Sequence, residues 1–478
     1  MQQDAGALDL DALIGQVLCF GWSGDDADQA NTHAVELIEE MRVGGVILLG
    51  RNVAGPDAAR AAIGELQRRS AIPLLVAVDQ EGGRVNRFGP PLTAFPGNMA
   101  LGACGEDGET FAYRQARCQA IELRAVGVNW NLAPVLDVNN NPHNPVIGIR
   151  SYSEKPQVAA RLGAAAIRGY HDGGVLACAK HFPGHGNTAV DSHLGLPVVS
   201  APRSSLEVTE LVPFCAAIAE GVRTMMTTHI VFTAVDAGAP ATISAPVLTG
   251  LLRHELGFKG LVITDCLEMA AIAETIGTAA GAVAALSAGA DMLLVSHTLE
   301  TQREVVRAVR NAVMSGIIPE DRLREAAGRV LAAKSSLPEA DVPSAPWLQD
   351  EHGQLELDIA RRAVTIVKSA GALPIRVGSR CGVASFDELA DSAAPCMNAL
   401  GVHASPVRLQ ASAGGPGWIE TVAALSSFDT VVMLTAFGSA SEGLSGKQIA
   451  TARELVGILG HRVILVAVHN PYDTDAVP

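Results

Sequence analysis

Short apolar runs alternate with longer helical patterns along the first two thirds of the chain, the order expected of βαβ units feeding a parallel sheet. Eight runs read as strands: Gly15–Trp22, Val43–Gly50, Pro73–Asp79, Val128–Asp137, Val175–His181, Thr224–Phe232, Leu261–Asp265 and Asp291–Ser296. Several, such as Val-Gly-Gly-Val-Ile-Leu-Leu-Gly from Val43, are apolar at every position, as strands covered on both faces must be. Eight in succession predict a closed (β/α)₈ barrel of the TIM type. An open doubly wound sheet is the alternative, but no Gly-x-Gly-x-x-Gly fingerprint follows the first strands.

Two helical patterns follow the eighth run and end near Lys334. Residues 335–353 hold three prolines and Trp347 and read as a crossing between domains. A helix is expected over Gln354–Lys368, then strands at Ile375–Val383, Thr430–Ala436 and Val463–His469. The predicted division is a catalytic barrel over 1–335, a linker over 336–353 and a smaller αβα sandwich over 354–478. The last of these is expected to lack its final elements, because the chain stops nine residues after His469. Gly443-Leu-Ser-Gly-Lys447 is not a phosphate loop: Ser441 stands where the first glycine belongs, and Gln448 replaces Ser or Thr.

Composition changes the picture mainly by exclusion. At 478 residues, 48% apolar and 18% charged, the chain is globular and large enough for two domains. A formal charge of −15 argues against nucleic acid and anionic membranes as partners. Eight cysteines without a CxxC pair read as reduced core fillers. Neither a signal peptide nor a span of 18 strongly apolar residues is visible, so a cytoplasmic setting is expected.

Polar residues gather near the C-terminal ends of the strand runs, where barrels of this type carry their chemistry. Asp79 ends the third run and Asp137 the fourth, with Arg87 and Arg150 in the loops that follow. His229 lies in the sixth run, Asp265 ends the seventh, and His297 follows the eighth. Each has a plainer reading. Asp265-x-x-Glu268 matches a helix capping box, Asp79 and Asp137 suit caps, His229 suits a hydrogen-bonded core position, and both arginines suit ion pairs. Harder to dismiss is Lys180-His-Phe-Pro-Gly-His-Gly-Asn-Thr-Ala-Val-Asp-Ser-His193, which crowds Lys180, His181, His185, Asp191 and His193 around a Pro-Gly turn. Two chemistries suit it. His181, His185, Asp191 and His193 have the donors of a zinc site. Alternatively Asp191 orients His193 as a general acid and base, with Asp265 as a nucleophile opposite.

Four segments in order carry a family resemblance. They are Asp79-Gln-Glu-Gly-Gly-Arg-Val-Asn-Arg87, Asn144-Pro-Val-Ile-Gly-Ile-Arg150-Ser, the loop from Lys180 to His193, and Ile263-Thr-Asp265-Cys-Leu-Glu-Met269. They resemble the β-N-acetylglucosaminidases of glycoside hydrolase family 3, strongly over residues 10–340, and the remainder is similar to that family's αβα domain. The resemblance implies a retaining exo-glycosidase that removes terminal β-linked N-acetylglucosamine without cofactor or metal. Asp265 would form the glycosyl-enzyme, His193 oriented by Asp191 would be the acid and base, and Asp79, Arg87, Arg150, Lys180 and His181 would bind the sugar. Substrates would be small amino-sugar glycosides, either muropeptide fragments from peptidoglycan turnover or chito-oligosaccharides. Scarce aromatics, 4%, favour a small pocket over a polymer cleft. Inorganic phosphate is a candidate second acceptor, because a neutral imidazole repels it less than a carboxylate would; the plainer alternative is that water, at far higher concentration, always wins. The chain departs from the family pattern at Ile149, Asn187 and Cys266. Competing readings are an N-acetylglucosaminide phosphorylase, a zinc hydrolase and a non-catalytic sugar-binding protein.

Overall fold

The computed structural model describes residues 5–24, 32–189, 191, 195–338, 350–368, 371–410, 417–435 and 446–477. It divides into two compact units, residues 1–364 and 365–478.

The first unit holds eight parallel strands: β1 (Leu18–Phe20), β2 (Gly45–Leu48), β3 (Leu75–Val78), β4 (Trp130–Asn131), β5 (Leu176–Phe182), β6 (Thr224–Thr227), β7 (Leu261–Ile263) and β8 (Leu293–Val295). Neighbours run β8-β1-β2-β3-β4-β5-β6-β7. A parallel bridge from Ile263 to Met292 joins the two ends, so the sheet closes into the expected barrel. Each of the eight apolar runs contains one barrel strand, and the sixth also holds Val231–Phe232, which pairs with Val198–Val199 in a separate two-stranded sheet.

Strand alternation sorts the apolar residues into two cores. Cys19, Ile47, Ala77, Trp130, Cys178, Met226, Ile263 and Leu294 belong to one buried cluster, the barrel interior. Their neighbours Leu18, Phe20, Val46, Leu48, Val76, Val78, Val262 and Val295 pack outward with the helices. Both faces are covered, which is why the runs read as continuously apolar. Each Leu, Ile or Val so buried contributes roughly 1.5–3 kcal/mol. Trp130, the largest interior side chain, donates its indole N–H to Thr224 Oγ1 at 2.9 Å, so its one polar atom is not stranded.

The second unit is a four-stranded parallel sheet, β9 (Arg380–Ser385), β10 (His403–Arg408), β11 (Thr430–Thr435) and β12 (Val463–Ala467), in the order β10-β9-β11-β12. Apolar clusters cover both faces, with Leu425, Ala452 and Leu455 on one and Ala390, Ala394 and Val402 on the other. Strand β10 was not expected. Pro406 sits in it, a residue tolerated because β10 is an edge strand.

The expected boundary between the domains needs correction. The helix placed at the start of the second domain runs Asp350–Ala363 and belongs to the first unit. Its spacing explains the docking: His352, Leu355 and Ile359 share one face, and Leu355 and Ile359 join the outer cluster of the barrel. Residues 339–349, most of the expected linker, lie outside the described residues. The reading of the cysteines also needs adjusting. All eight are free, but Cys215 and Cys396 are exposed and only Cys19, Cys104, Cys178 and Cys381 are fully buried.

His352 gives this docking a pH dependence. Its Nδ1 donates to Glu122 Oε1 at 2.7 Å, and Glu122 also accepts from Thr93 N at 3.0 Å and Thr93 Oγ1 at 2.6 Å. Hydrogen bonds to Cys118 and Glu122 push the imidazole up to about 10. A raised pKa means that the stabilisation is complete below the unfolded value of ~6.5 and is lost as pH rises through about 10. Thermal melting followed across that window is expected to decline more steeply for the wild type than for His352→Gln. Parallel declines would rule the linkage out.

Candidate active site

Strand alternation also positions the chemistry. Asp79 lies two residues beyond Ala77, Lys180 two beyond Cys178 and Asp265 two beyond Ile263, so each continues an inward-facing row at the C-terminal end of its strand. The Cys178 thiol, pushed up to about 12 by burial, lies beneath them within electrostatic reach of Lys180, Asp79 and Asp265 together.

Around Lys180 the ion pairing is nearly complete. Lys180, 2% exposed, donates to Asp79 Oδ1 at 2.7 Å and is 2.6 Å from Glu81 Oε1. Glu81, 3% exposed, accepts two further hydrogen bonds from Arg150, Nε at 2.9 Å and Nη2 at 2.8 Å. Burial alone would raise the Glu81 carboxyl, but Arg150 and Lys180 hold it well below the usual carboxylate range. Burial alone would lower Lys180, but Asp79 and Glu81 hold it above its ordinary value. Arg87 Nη2 lies 4.0 Å from Asp79 Oδ2, and its buried Nε has no hydrogen-bond partner among the described residues.

Asp137, fully buried after β4, organises the next segment. Its Oδ2 accepts from His181 Nδ1 at 2.7 Å, and its Oδ1 accepts from the backbone N–H groups of His181 at 3.2 Å and His185 at 2.7 Å. With Nδ1–H committed, the Nε2 of a neutral His181 is an acceptor. The His185 ring packs edge-on against His181, centroids 5.8 Å apart, and burial pushes its pKa down to about 4. Asn144 Nδ2 donates to the carbonyls of His185 and Gly186 at 2.8 and 2.9 Å. Gly186 is required there, because a Cβ would collide with the Val138 carbonyl.

The wall beside Asp265 is held differently. Asp265 Oδ1 accepts from the N–H of Cys266 at 2.7 Å. His229 donates Nε2–H to the Cys266 carbonyl at 2.9 Å and pairs Nδ1 with Thr242 Oγ1 at 2.8 Å. His229 is therefore the hydrogen-bonded core residue of the plainer reading, and it steadies the segment carrying Asp265. Glu268 does not form the capping box with Asp265. Its carboxylate accepts from the N–H groups of His297 at 2.7 Å and Thr298 at 3.0 Å, capping the helix Leu299–Met314 instead. Asp191 is half-buried, and its carbonyl accepts from Gly195 N at 3.1 Å. His193 lies outside the described residues.

A sequence profile described as the glycosyl hydrolase family 3 N terminal domain matches residues 9–333, well over half of the chain. The chain belongs to glycosyl hydrolase family 3. It is similar to beta-hexosaminidase A of Pseudoalteromonas piscicida, 35% identical over 370 residues, which covers 71% of this chain and 62% of that protein. The chain thus spans less than two thirds of that relative's length. A beta-hexosaminidase of Alkalilimnicola ehrlichii is 40% identical over 275 residues, covering 57% of this chain and 78% of that one. Among solved structures, a glycoside hydrolase family 3 beta-N-acetylglucosaminidase from Paenibacillus superposes with a TM-score of 0.88 at 37% identity, over 99% of this chain and 92% of that one.

Within this family 3 chain the structure brings Asp79, Arg87, Arg150, Lys180 and His181 to one end of the barrel, with Asp265 across the interior row. Sequence reasoning missed Glu81, the acceptor shared by Lys180 and Arg150, and left Asp137 as a possible cap. Two acids in Asp79-x-Glu81 at a strand end, opposite a buried lysine, were the available signal. Asp137 and Thr188 engage the Nδ1 atoms of His181 and His185, which leaves Nε2 as the atom each could offer to zinc, but among the described residues His181, His185 and Asp191 do not come together as a metal-binding trio. Among the described residues one trio has metal-binding atoms within 4.8 Å of one another: Cys266, Glu268 and His297. Arg51 opposes a dication there. Its Nη1 donates to His297 Nδ1 at 3.0 Å, while Nε and Nη2 are fixed on the carbonyls of Trp22 and Ser296.

Proposed function

We propose that this site removes terminal, non-reducing β-linked N-acetylglucosamine with retention of configuration. The observation that carries the proposal is the buried, charge-paired ring of Asp79, Lys180, Glu81 and Arg150 at the mouth of a barrel whose opposite interior row ends in a carboxylate, Asp265. Such a ring presents hydroxyl-binding groups in fixed positions. Asp79 keeps lone pairs on Oδ2 beside Arg87, Lys180 keeps a third proton, and His181 keeps Nε2. The choice of N-acetylglucosamine rests on the beta-hexosaminidases and the beta-N-acetylglucosaminidase to which the chain is similar.

In the proposed reaction Asp265 attacks the anomeric carbon as His193, oriented by Asp191, protonates the departing oxygen. Water then attacks the glycosyl-enzyme while His193 takes its proton, and two inversions restore the β configuration. The substrates are small amino-sugar glycosides, muropeptide fragments or chito-oligosaccharides. Among the described residues no helix is long and apolar enough to cross a membrane. Eight free thiols suit a reducing compartment, and we take the cytoplasm as the setting.

The test is a panel of aryl glycosides (N-acetylglucosaminide, glucoside, xyloside and arabinofuranoside) with and without EDTA. Turnover of the N-acetylglucosaminide, unaffected by EDTA, is expected. Preference for another sugar sinks the substrate assignment, loss with EDTA restored by zinc favours a metal hydrolase, and binding without turnover leaves a lectin-like protein. Repeating the assay in phosphate reads the second acceptor directly, as N-acetylglucosamine 1-phosphate of β configuration.

His193→Ala is expected to depend on the leaving group. Unactivated glycosides need protonation and should lose ~10²-fold or more, whereas nitrophenyl glycosides should lose less. Asp191→Ala should show the same pattern more weakly. A uniform loss across leaving groups removes His193 from the role of proton donor.

A further inference from the structure

We propose that Glu81 is a positioning residue of this site, holding Lys180 and Arg150 against the sugar while touching no substrate atom itself. The inference rests on the glycosidase reading but not on the identity of the sugar. Three observations carry it. First, three of the four lone-pair sites of Glu81 are taken by the two cations, and Oε1 is fully used. Its Oε1 lies 2.6 Å from Lys180 Nζ and accepts from Arg150 Nη2 at 2.8 Å, while Oε2 accepts from Arg150 Nε at 2.9 Å. Second, it is 3% exposed, lying deeper than Asp79, whose side chain is 19% exposed and whose Oδ2 keeps room for hydroxyl donors. Third, it bridges Lys180 and Arg150, two cations that come from different strands and loops, so it fixes the distance between them.

The division of labour follows from counting donors. Lys180 spends one proton on each of two carboxylates and keeps the third. Arg150 spends Nε and one Nη2 proton on Glu81 and one Nη1 proton on the Val146 carbonyl at 3.3 Å, so one proton remains on each terminal nitrogen. The Asn98 side chain donates to the Arg150 carbonyl at 2.7 Å and holds that residue from behind. Without Glu81 two buried cations would repel each other, and Arg150 would be free to swing onto Asp79 and occupy the acceptor meant for the sugar.

A second consequence separates positioning from plain structural support. The groups facing Lys180 are Asp79 and Glu81 from the β3 end, Arg150 from the β4 side, and Cys178 on β5; Asp137 faces Arg150, and Tyr152 and Tyr170 face Glu81. Burial and Arg150 both favour the neutral amine, and only Asp79 and Glu81 keep it charged. Removing one of the two anions moves deprotonation of Lys180 toward neutrality, where it cuts into the alkaline limb of activity.

The experiment compares the wild type with Glu81→Gln and Glu81→Asp in kcat, KM and the pH profile of kcat/KM, using whichever glycoside of the panel the wild type cleaves. Melting temperatures are recorded alongside. Glu81→Gln should lose roughly 10²-fold in kcat/KM, as expected for displacement of groups by about an ångström, and its alkaline limb should move acidward by about one unit or more. Glu81→Asp keeps the charge but not the reach. Its KM should rise while its alkaline limb stays near that of the wild type. If Glu81→Gln does not fold, the Glu81→Asp profile decides alone. Wild-type kinetics in Glu81→Asp, or in a folded Glu81→Gln a loss with no displacement of the alkaline limb, overturns the proposal. A wild type that cleaves no glycoside overturns the glycosidase reading instead.

Discussion

Turnover by Asp265→Ala is expected to fall by roughly 10⁴-fold or more, because among the described residues the neighbouring carboxylate is committed elsewhere. Glu268 is the nearest alternative in sequence, and both its oxygens are committed to the N–H groups of His297 and Thr298. The substitution should leave the segment in place. The hydrogen bond from Cys266 N to Asp265 Oδ1 is lost, but the segment keeps the Cys266 carbonyl held by His229 and the Glu268 contacts, neither of which passes through the Asp265 side chain. A folded, inert protein is therefore the expected product. In the wild type a 5-fluoro glycoside, which slows departure from the covalent intermediate, should label Asp265. Peptide mass spectrometry reads the site, and NMR of early product reads the anomer. A label on another residue, or an inverted product, removes Asp265 from the role of nucleophile.

Much of the barrel was legible because the fold repeats one physical requirement eight times. A strand buried on both faces must be apolar throughout, and the helix after it must not be, so the alternation survives even where β4 shortens to Trp130–Asn131. The candidate-site residues at strand ends were legible for the same reason, since period-2 continuation past Ala77, Cys178 and Ile263 lands on Asp79, Lys180 and Asp265. What stayed hidden depended on partners far apart in sequence. Glu81 and Arg150 are separated by 69 residues, Glu268 and Thr298 by 30, and the capping-box spacing of Asp265 and Glu268 pointed to the wrong helix. The helix Asp350–Ala363 was assigned to the wrong unit because its amphipathic face says that it packs, not against what. Strand β10 was hidden by Pro406, which local reasoning counts against a strand and an edge position permits.

The largest stability effect is expected at the other end of the barrel, from Asp291. The β7–β8 seam lacks the continuous ladder of the other joints and closes through the Ile263–Met292 bridge. Asp291 reinforces it: its N–H donates to the Val262 carbonyl at 2.8 Å, and its Oδ2 accepts from Val262 N at 2.9 Å. Around the same carboxylate stand three arginines. Arg253 lies at 2.5 Å, and Arg322 and Arg329 each lie at 2.9 Å, with side chains 11%, 14% and 24% exposed. Removing the anion leaves three poorly solvated guanidinium groups facing one another, the circumstance in which breaking a buried pair costs about 3–5 kcal/mol. Part of the charge is answered elsewhere, since Arg322 and Arg329 also reach Glu325 and Arg253 donates to the Gly260 carbonyl at 2.6 Å. The loss for Asp291→Ala is therefore expected near the lower end, about 3 kcal/mol, against ~1 kcal/mol or less for Glu39→Ala, which removes an exposed pair with Arg69. Chemical denaturation of the two variants reads the difference. Asp291 precedes β8, whereas the proposed catalytic groups follow their strands, so Asp291→Ala assayed well below its melting temperature should keep near-wild-type kcat/KM. Equal small losses in both variants would mean that the arginine cluster is solvated and the seam is held by the backbone alone.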